Sequence, residues 1–201
     1  MPDLSKELLR IKSSIDTFEE ADDDSTNESI REYLKEVFSS LNKGLQSVNN
    51  EERGLLNGIT KLLGQLNNET YSDAVQAFVF YVNPSQGTLT LNGYAGIEVH
   101  SSESFSFEHP VFENYGNLRY KALNMEMEEL DACDVEIDDC DFEDEISDMK
   151  VFLVLKSLHF FKQCFDKVFD KALLKDLNMT DTTYFFVAEH DADQLLLQKV
   201  S

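Results

Sequence analysis

Thirteen carboxylate side chains and no basic side chain lie between Met125 and Asp148, a stretch of 24 residues. The whole chain has a formal net charge of -22, so the other 177 residues contribute only -9. A run of like charge repels itself and attracts cations, which include metal ions and basic protein surfaces. The chemistry that this acidic run could perform is therefore cation binding, either of a metal ion or of a protein.

A metal site is the first possibility. Asp134, Glu136 and Asp138 occupy alternate positions, and Glu145 is the twelfth residue counted from Asp134, as in the calcium-binding loop of an EF-hand. The pattern then fails, because Asp139 stands where that loop requires glycine for a sharp turn. Weak binding of Ca²⁺ or Mg²⁺ is expected instead of an EF-hand, and no metal ligands are assigned.

A protein partner is the second possibility. Carboxylates accelerate the association of an acidic inhibitor with a basic target and can occupy sites built for phosphate. Apolar residues are interleaved with the charges, whereas disordered acidic tracts usually lack them. The plainest alternative is a solvated loop that maintains solubility. If a partner binds, the candidate contact residues are six acidic side chains: Glu136, Asp138, Asp139, Asp141, Glu143 and Asp144.

The leading hypothesis is an acidic inhibitor of a cationic protein, most concretely an immunity protein or antitoxin that blocks a basic nuclease-type toxin. The rival hypothesis is a metal-ion-binding module or a carboxylate-based metal-dependent enzyme. No catalytic residue or cofactor is predicted, because the sequence lacks GxGxxG, GxxxxGK[ST], GxSxG, HExxH and CxxC. A binding protein is therefore favoured over an enzyme, although enzyme classes without short signatures stay open.

A second polar group contains Glu189, His190, Asp191 and Asp193, whose side-chain types bind metals or transfer protons. The group falls at a predicted hairpin tip, where short polar residues serve turn geometry. The remaining histidines are isolated in the sequence. A turn is therefore the favoured interpretation of this group.

Composition excludes some partners and compartments. A pI near 4.3 argues against binding of nucleic acid or of anionic membranes, both of which need clustered basic residues. Three cysteines are too few for a disulfide framework. The first residues lack the basic and apolar regions of a signal peptide, and no run of 18 apolar residues exists. A soluble, cytoplasmic protein is expected.

Apolar spacing predicts the elements that position these residues. Three helices are expected in the first third: Leu4 to Phe18, a second one capped by Ser25 or Thr26, and Leu55 to Leu66. A further helix, Val151 to Leu177, is apolar nearly all round in its first half, which is typical of a buried helix.

Strand-favouring residues predict two hairpins. The first joins Ala77–Val82 to Thr88–Leu91 through an NPSQG turn, and the second joins Tyr184–Ala188 to Leu195–Val200. Residues between Ile97 and Val111 could extend the sheet. The sequence therefore predicts one α+β domain over 1-201, with N-terminal helices, an antiparallel sheet made of two hairpins, and one long buried helix between them. The acidic segment 125-148 is expected to be an insertion or an interface element.

Overall fold

The structure is a computed structural model that describes residues 4–19, 24–47, 52–66, 71, 73–83, 88–101, 104–119, 143–169, 174, 177–189 and 194–201. The predicted α+β class is confirmed, with helices first and one long helix between strands. In chain order the elements are α1 (Leu4–Asp16), α2 (Asp24–Ser47), α3 (Glu52–Leu66), β1 (Val75–Asn83), β2 (Thr88–Val99), β3 (Phe105–Arg119), α4 (Glu143–Val168), β4 (Met179–Glu189) and β5 (Gln194–Val200).

The five strands form one sheet in the order β3-β2-β1-β4-β5. The two predicted hairpins, β1–β2 and β4–β5, pair antiparallel, and β3 adds a further antiparallel strand beside β2. A pairing that the sequence pattern does not predict is the parallel contact of β1 with β4, which makes the sheet mixed. The chain leaves β3 and returns after α4 to lie beside β1. A connection that contains a helix can bring the next strand back in the same direction, whereas a tight hairpin cannot.

The long helix α4 begins at Glu143, eight residues before its predicted start, and ends at Val168. Carboxylates in the first turn of a helix are stabilised by the positive end of the helix dipole, so the acidic residues there favour helix formation. The C-terminal end of the acidic run is therefore helical. Val151, the first residue of the predicted helix, is 40% exposed. The buried side of this part of α4 instead contains Met149, Phe152 and Leu153.

Two hydrophobic clusters share α4. The helical cluster joins α1, α2 and the first half of α4 through Ile11, Ile15, Phe18, Ile30, Leu34, Phe38, Ile146, Met149, Phe152 and Leu153. The sheet cluster joins α3, the second half of α4 and one face of the sheet, and it is rich in aromatic rings. Ring centroids are 4.9 Å apart for Phe78 and Phe185 and 5.1 Å apart for Phe80 and Phe161. Through its membership of both clusters, α4 fixes the helices against the sheet.

The opposite face of the sheet carries a third group, the second-face cluster, centred on Ala77, Val79, Tyr94, Phe186 and Ala188. Each of its described hydrophobic members belongs to a strand. At the β5 edge, Leu197 is an extra residue opposite the Phe185–Phe186 step of β4. The ammonium group of Lys162 on α4 donates a hydrogen bond to the Leu197 carbonyl oxygen over 2.7 Å. This contact ties α4 to the edge strand.

Candidate functional site

The acidic run is the first candidate site, and the structure describes its C-terminal end. Glu143 is the first residue of α4, and Asp144 follows it with an exposed side chain. The other four predicted contact residues lie outside the described residues: Glu136, Asp138, Asp139 and Asp141. Two of the six are therefore placed at the N-terminus of α4, and the grouping of all six stays a prediction.

The next two carboxylates of the run bind α1. The hydroxyl of Ser14 donates to Glu145 Oε1 over 2.9 Å, and the guanidinium of Arg10 donates to Asp148 Oδ1 over 2.5 Å. Arg10 also donates to Glu7 Oε2 over 2.9 Å. Ser14 follows Arg10 in α1, whereas its partner Glu145 precedes Asp148 in α4. The two helices therefore run antiparallel. These contacts anchor the end of the acidic run to the helical cluster.

Sequence reasoning missed this anchoring role. The sequence did carry a signal for it, since Arg10 and Ser14 are four residues apart and Glu145 and Asp148 are three apart, so both pairs lie on single helix faces. The hydrogen bonds that Arg10 donates to Glu7 and then to Asp148 raise the pKa of Arg10 above its ordinary value. Arg10 therefore stays cationic beside these carboxylates.

The anchoring also bears on the metal hypothesis. An EF-hand loop needs a bidentate glutamate at its twelfth position, which here is Glu145. In the structure one oxygen of Glu145 accepts the hydrogen bond from Ser14. Among the described residues, no three His, Cys, Asp or Glu side chains are grouped so that they could hold a metal ion. The alternating carboxylates Asp134, Glu136 and Asp138 lie outside the described residues, so weak metal binding there stays a prediction.

The second polar group of the sequence is described only at its first member. Glu189 is the last residue of β4, and His190, Asp191 and Asp193 lie outside the described residues. A position immediately after a strand is consistent with the predicted turn between β4 and β5.

Two possible nucleophiles are visible. His100 Nε2 lies 2.8 Å from Ser106 Oγ, a spacing that suits a base and a hydroxyl nucleophile. His100 and Ser106 both lie near the β2–β3 turn, and their contact is exposed. The pair therefore links the two strands and does not enclose a substrate. Cys164 is fully buried in the sheet cluster. Burial raises the pKa of its thiol to about 11, which keeps it protonated and unreactive.

A cleft of about 310 Å³ lies between α1 and α2. Lys35 and Asp16 form an ion pair across it, with Nζ 2.6 Å from Oδ1. The apolar side chains at its floor, Ile15 and Phe38, are only 1% and 5% exposed. Lys12 also lines the cleft, so its charged side chains are one ion pair and one further ammonium group, and nothing in this lining selects a particular ligand.

A hydrogen-bonded network connects β1, β2 and β3 near the second-face cluster. The hydroxyl groups of Tyr81 and Tyr94 are 3.4 Å apart, and the side-chain amide of Asn92 donates to Tyr94 Oη over 3.2 Å. The Asn92 carbonyl oxygen accepts a hydrogen bond from the backbone N–H of Asn114 over 2.8 Å. Burial, and then the contact with Tyr94, raises the pKa of Tyr81. The network satisfies a backbone N–H in the irregular part of β3, which is a structural role.

Within the described ranges, none of the helices is long and apolar enough to cross a membrane. No protein-family model, curated protein or solved structure matches this chain.

Proposed function

We propose that this protein binds a cationic protein through the acidic run, and that it acts as an inhibitor of that partner. The most concrete form is an immunity protein or antitoxin that neutralises a basic toxin such as a nuclease. The observation that carries the proposal is the charge distribution: 13 carboxylates and no basic residue within 24 positions of a chain whose remaining 177 residues carry only -9. Such a concentration steers a basic partner toward one part of the surface.

The anchoring of the run supports this proposal. Hydrogen bonds from α1 engage Glu145 and Asp148, and the apolar side chains of Ile146 and Met149 are buried beneath them. A binding segment with one end held by a packed helix loses less conformational freedom on binding than a free tail does. We therefore propose that the partner contacts lie before Glu145; Glu143 and Asp144 are the two candidates among the described residues.

The test is affinity capture from the native cell's lysate, followed by association kinetics with the captured protein at low and high salt. One variant combines Asp138→Asn, Asp139→Asn and Asp141→Asn. A charge-matched control combines Glu28→Gln, Glu32→Gln and Glu36→Gln, which are exposed on α2. Both variants change the net charge by the same amount, so a difference between them reports position and not total charge.

We expect the first variant to slow association several-fold at low salt and the control to slow it much less, with the difference vanishing at high salt. Equal association rates for the two variants would assign the effect to overall charge and reject the acidic run as the binding site. A capture experiment that yields no basic protein while circular dichroism shows a folded chain would reject inhibition of a cationic target. An unrelated small basic protein serves as the control for unspecific ion exchange.

A further inference from the structure

The outer hairpin, which comprises residues 95–101 and 104–109, folds back over the sheet. In the strand order, β3 is three strands from β4, a distance of roughly 14 Å in a flat sheet with a spacing of about 4.8 Å per strand. Nevertheless the ring centroids of Phe105 and Phe107 lie 4.8 and 5.1 Å from that of Phe186 on β4. The Phe107 ring also lies 5.2 Å from Tyr94. The hairpin therefore bends across β1 and lies on the second-face cluster.

The bend has a local origin at the base of the outer hairpin. The register between β2 and β3 shifts three times between Leu89 and Tyr94, and β3 supplies an extra residue at each shift. Such bulges interrupt the ladder and increase strand bending. Two residues of β3, His109 and Asn114, have φ values of 55° and 54°, which few residues other than glycine adopt. Gly93 is needed here, because a Cβ atom would lie 2.3 Å from the Phe112 ring.

The turn of the outer hairpin is closed by its own hydrogen bonds. The backbone N–H groups of His100 and Ser101 donate to the Ser104 carbonyl oxygen over 3.0 and 3.2 Å. The contact of His100 with Ser106 adds a link between side chains. The last residue of β2 that pairs with β1 is Tyr94, opposite Ala77, so the outer hairpin extends beyond the β1–β2 ladder. It can therefore move as a unit without breaking that ladder.

Few contacts attach the outer hairpin to the sheet beneath it. Among the described residues they are the ring contacts of Phe105 and Phe107, the packing of Ile97, and a 3.2 Å hydrogen bond from the Ile97 N–H to Gln76 Oε1; all three apolar side chains are only half-buried. By contrast, Val79 and Phe186 beneath are fully buried. Segments with few buried contacts open at a lower free energy than the core does.

We propose that the outer hairpin is a hinged cover, which opens about the bulged segment of β3 and exposes the second-face cluster while the rest of the chain stays folded. This device is independent of the acidic run and of the proposed inhibition. It makes the apolar face of the sheet a surface whose exposure is controlled by the protein itself.

The test is thiol labelling of the full chain carrying Val79→Cys, with Cys133 and Cys140 replaced by serine. The native Cys164, which is fully buried in the sheet cluster, is the internal reference for global unfolding. Labelling with iodoacetamide is followed by peptide mass spectrometry. We expect position 79 to react at least about tenfold faster than Cys164, with a weaker dependence on urea, because local opening exposes less surface.

Two further variants connect the opening to the hairpin. Phe107→Ala should accelerate labelling at position 79 several-fold and leave Cys164 unchanged, whereas Val99→Ala, at a residue 56% exposed on the same hairpin, should change neither rate. Equal rates and equal urea dependence at positions 79 and 164 would overturn the proposal. So would a rate at position 79 that is insensitive to Phe107→Ala. A variant that fails to fold is recognised by rapid labelling of Cys164 itself.

Discussion

The helical cluster and the sheet cluster meet on α4 but are held together by different kinds of contact. The helical cluster combines mainly aliphatic packing with polar ties between helices, such as Arg10 to Asp148 and Lys35 to Asp16. The sheet cluster is a network of aromatic rings, in which Phe165 lies within 6 Å of Phe80, Phe169 and Phe185. Basic side chains pair with the protein's own carboxylates beside both clusters, since Lys167 of α4 also contacts Glu52 of α3, and the Arg10 pair is the described one that involves the acidic run.

The largest expected effect comes from breaking the aromatic network. Phe165→Ala removes a fully buried ring, and we expect it to lower the free energy of unfolding by about 3–5 kcal/mol. Urea denaturation measures the change. Leu9→Ala, at a side chain 67% exposed on α1, should cost almost nothing and is the control. A loss below about 1 kcal/mol for Phe165→Ala would show that the sheet cluster does not depend on its rings.

The next effect concerns the polar network of the second face. Asn92→Ala leaves the Asn114 N–H without its acceptor, and we expect a loss of about 1–3 kcal/mol in thermal or urea unfolding. Asn57→Ala, at an exposed position on α3, is the matched control and should be neutral or slightly stabilising. Equal stability of the two variants would mean that another group, such as water, replaces Asn92 at the bulge.

Alkaline pH should affect the sheet cluster through Cys164. Burial raises the pKa of this thiol from 9.0 to about 11, so the folded state favours the neutral form. The resulting stabilisation is complete below pH 9 and is lost as the pH rises from 9 to 11. With serine at positions 133 and 140, we expect the free energy of unfolding to fall by about 1–2 kcal/mol as the pH rises over that range. Cys164→Val in the same chain should abolish this fall. Parallel stability curves for the parent and this variant would contradict the assignment.

The smallest effect should come from a polar tie of the helical cluster. Arg10 is 50% exposed in its side chain, so its ion pairs are strongly screened by solvent. Arg10→Met should lower stability by about 0.5 kcal/mol at low salt and by less in 1 M NaCl. Unfolding in urea at both salt concentrations measures the change. A salt-independent loss of several kcal/mol would assign to Arg10 a structural role as large as that of a buried ring.

The sequence predicted the elements well where one periodicity dominates. The three N-terminal helices and both hairpins follow from apolar spacing and turn residues. The start of α4 was predicted too late, because a run of carboxylates is typical of a loop. In the structure the helix dipole and the partners on α1 stabilise these carboxylates in the first turns of the helix. The parallel pairing of β1 with β4 is a property of the chain path between distant segments, which residue spacing does not encode.

The sequence predicts where the carboxylates of the candidate site are concentrated, but not how they are arranged in the fold. Counting carboxylates locates the acidic run, yet it does not distinguish Asp144, which is exposed, from Glu145 and Asp148, which bind α1. That distinction depends on which helix packs beside α4. The fold of the outer hairpin over the sheet is equally invisible in the sequence, because it depends on the bulges of β3.

The contact between Lys162 and the Leu197 carbonyl has a consequence for self-association. The edge strand of a sheet is a template onto which a strand of another molecule can add, and such addition is a route to aggregation. On the opposite edge, the bulges of β3 make the template irregular. On β5 an incoming strand would have to displace the Lys162 ammonium from that carbonyl. Both edges of the sheet thus carry a local obstacle to strand addition, which we expect to persist where high salt screens the repulsion between the many carboxylates.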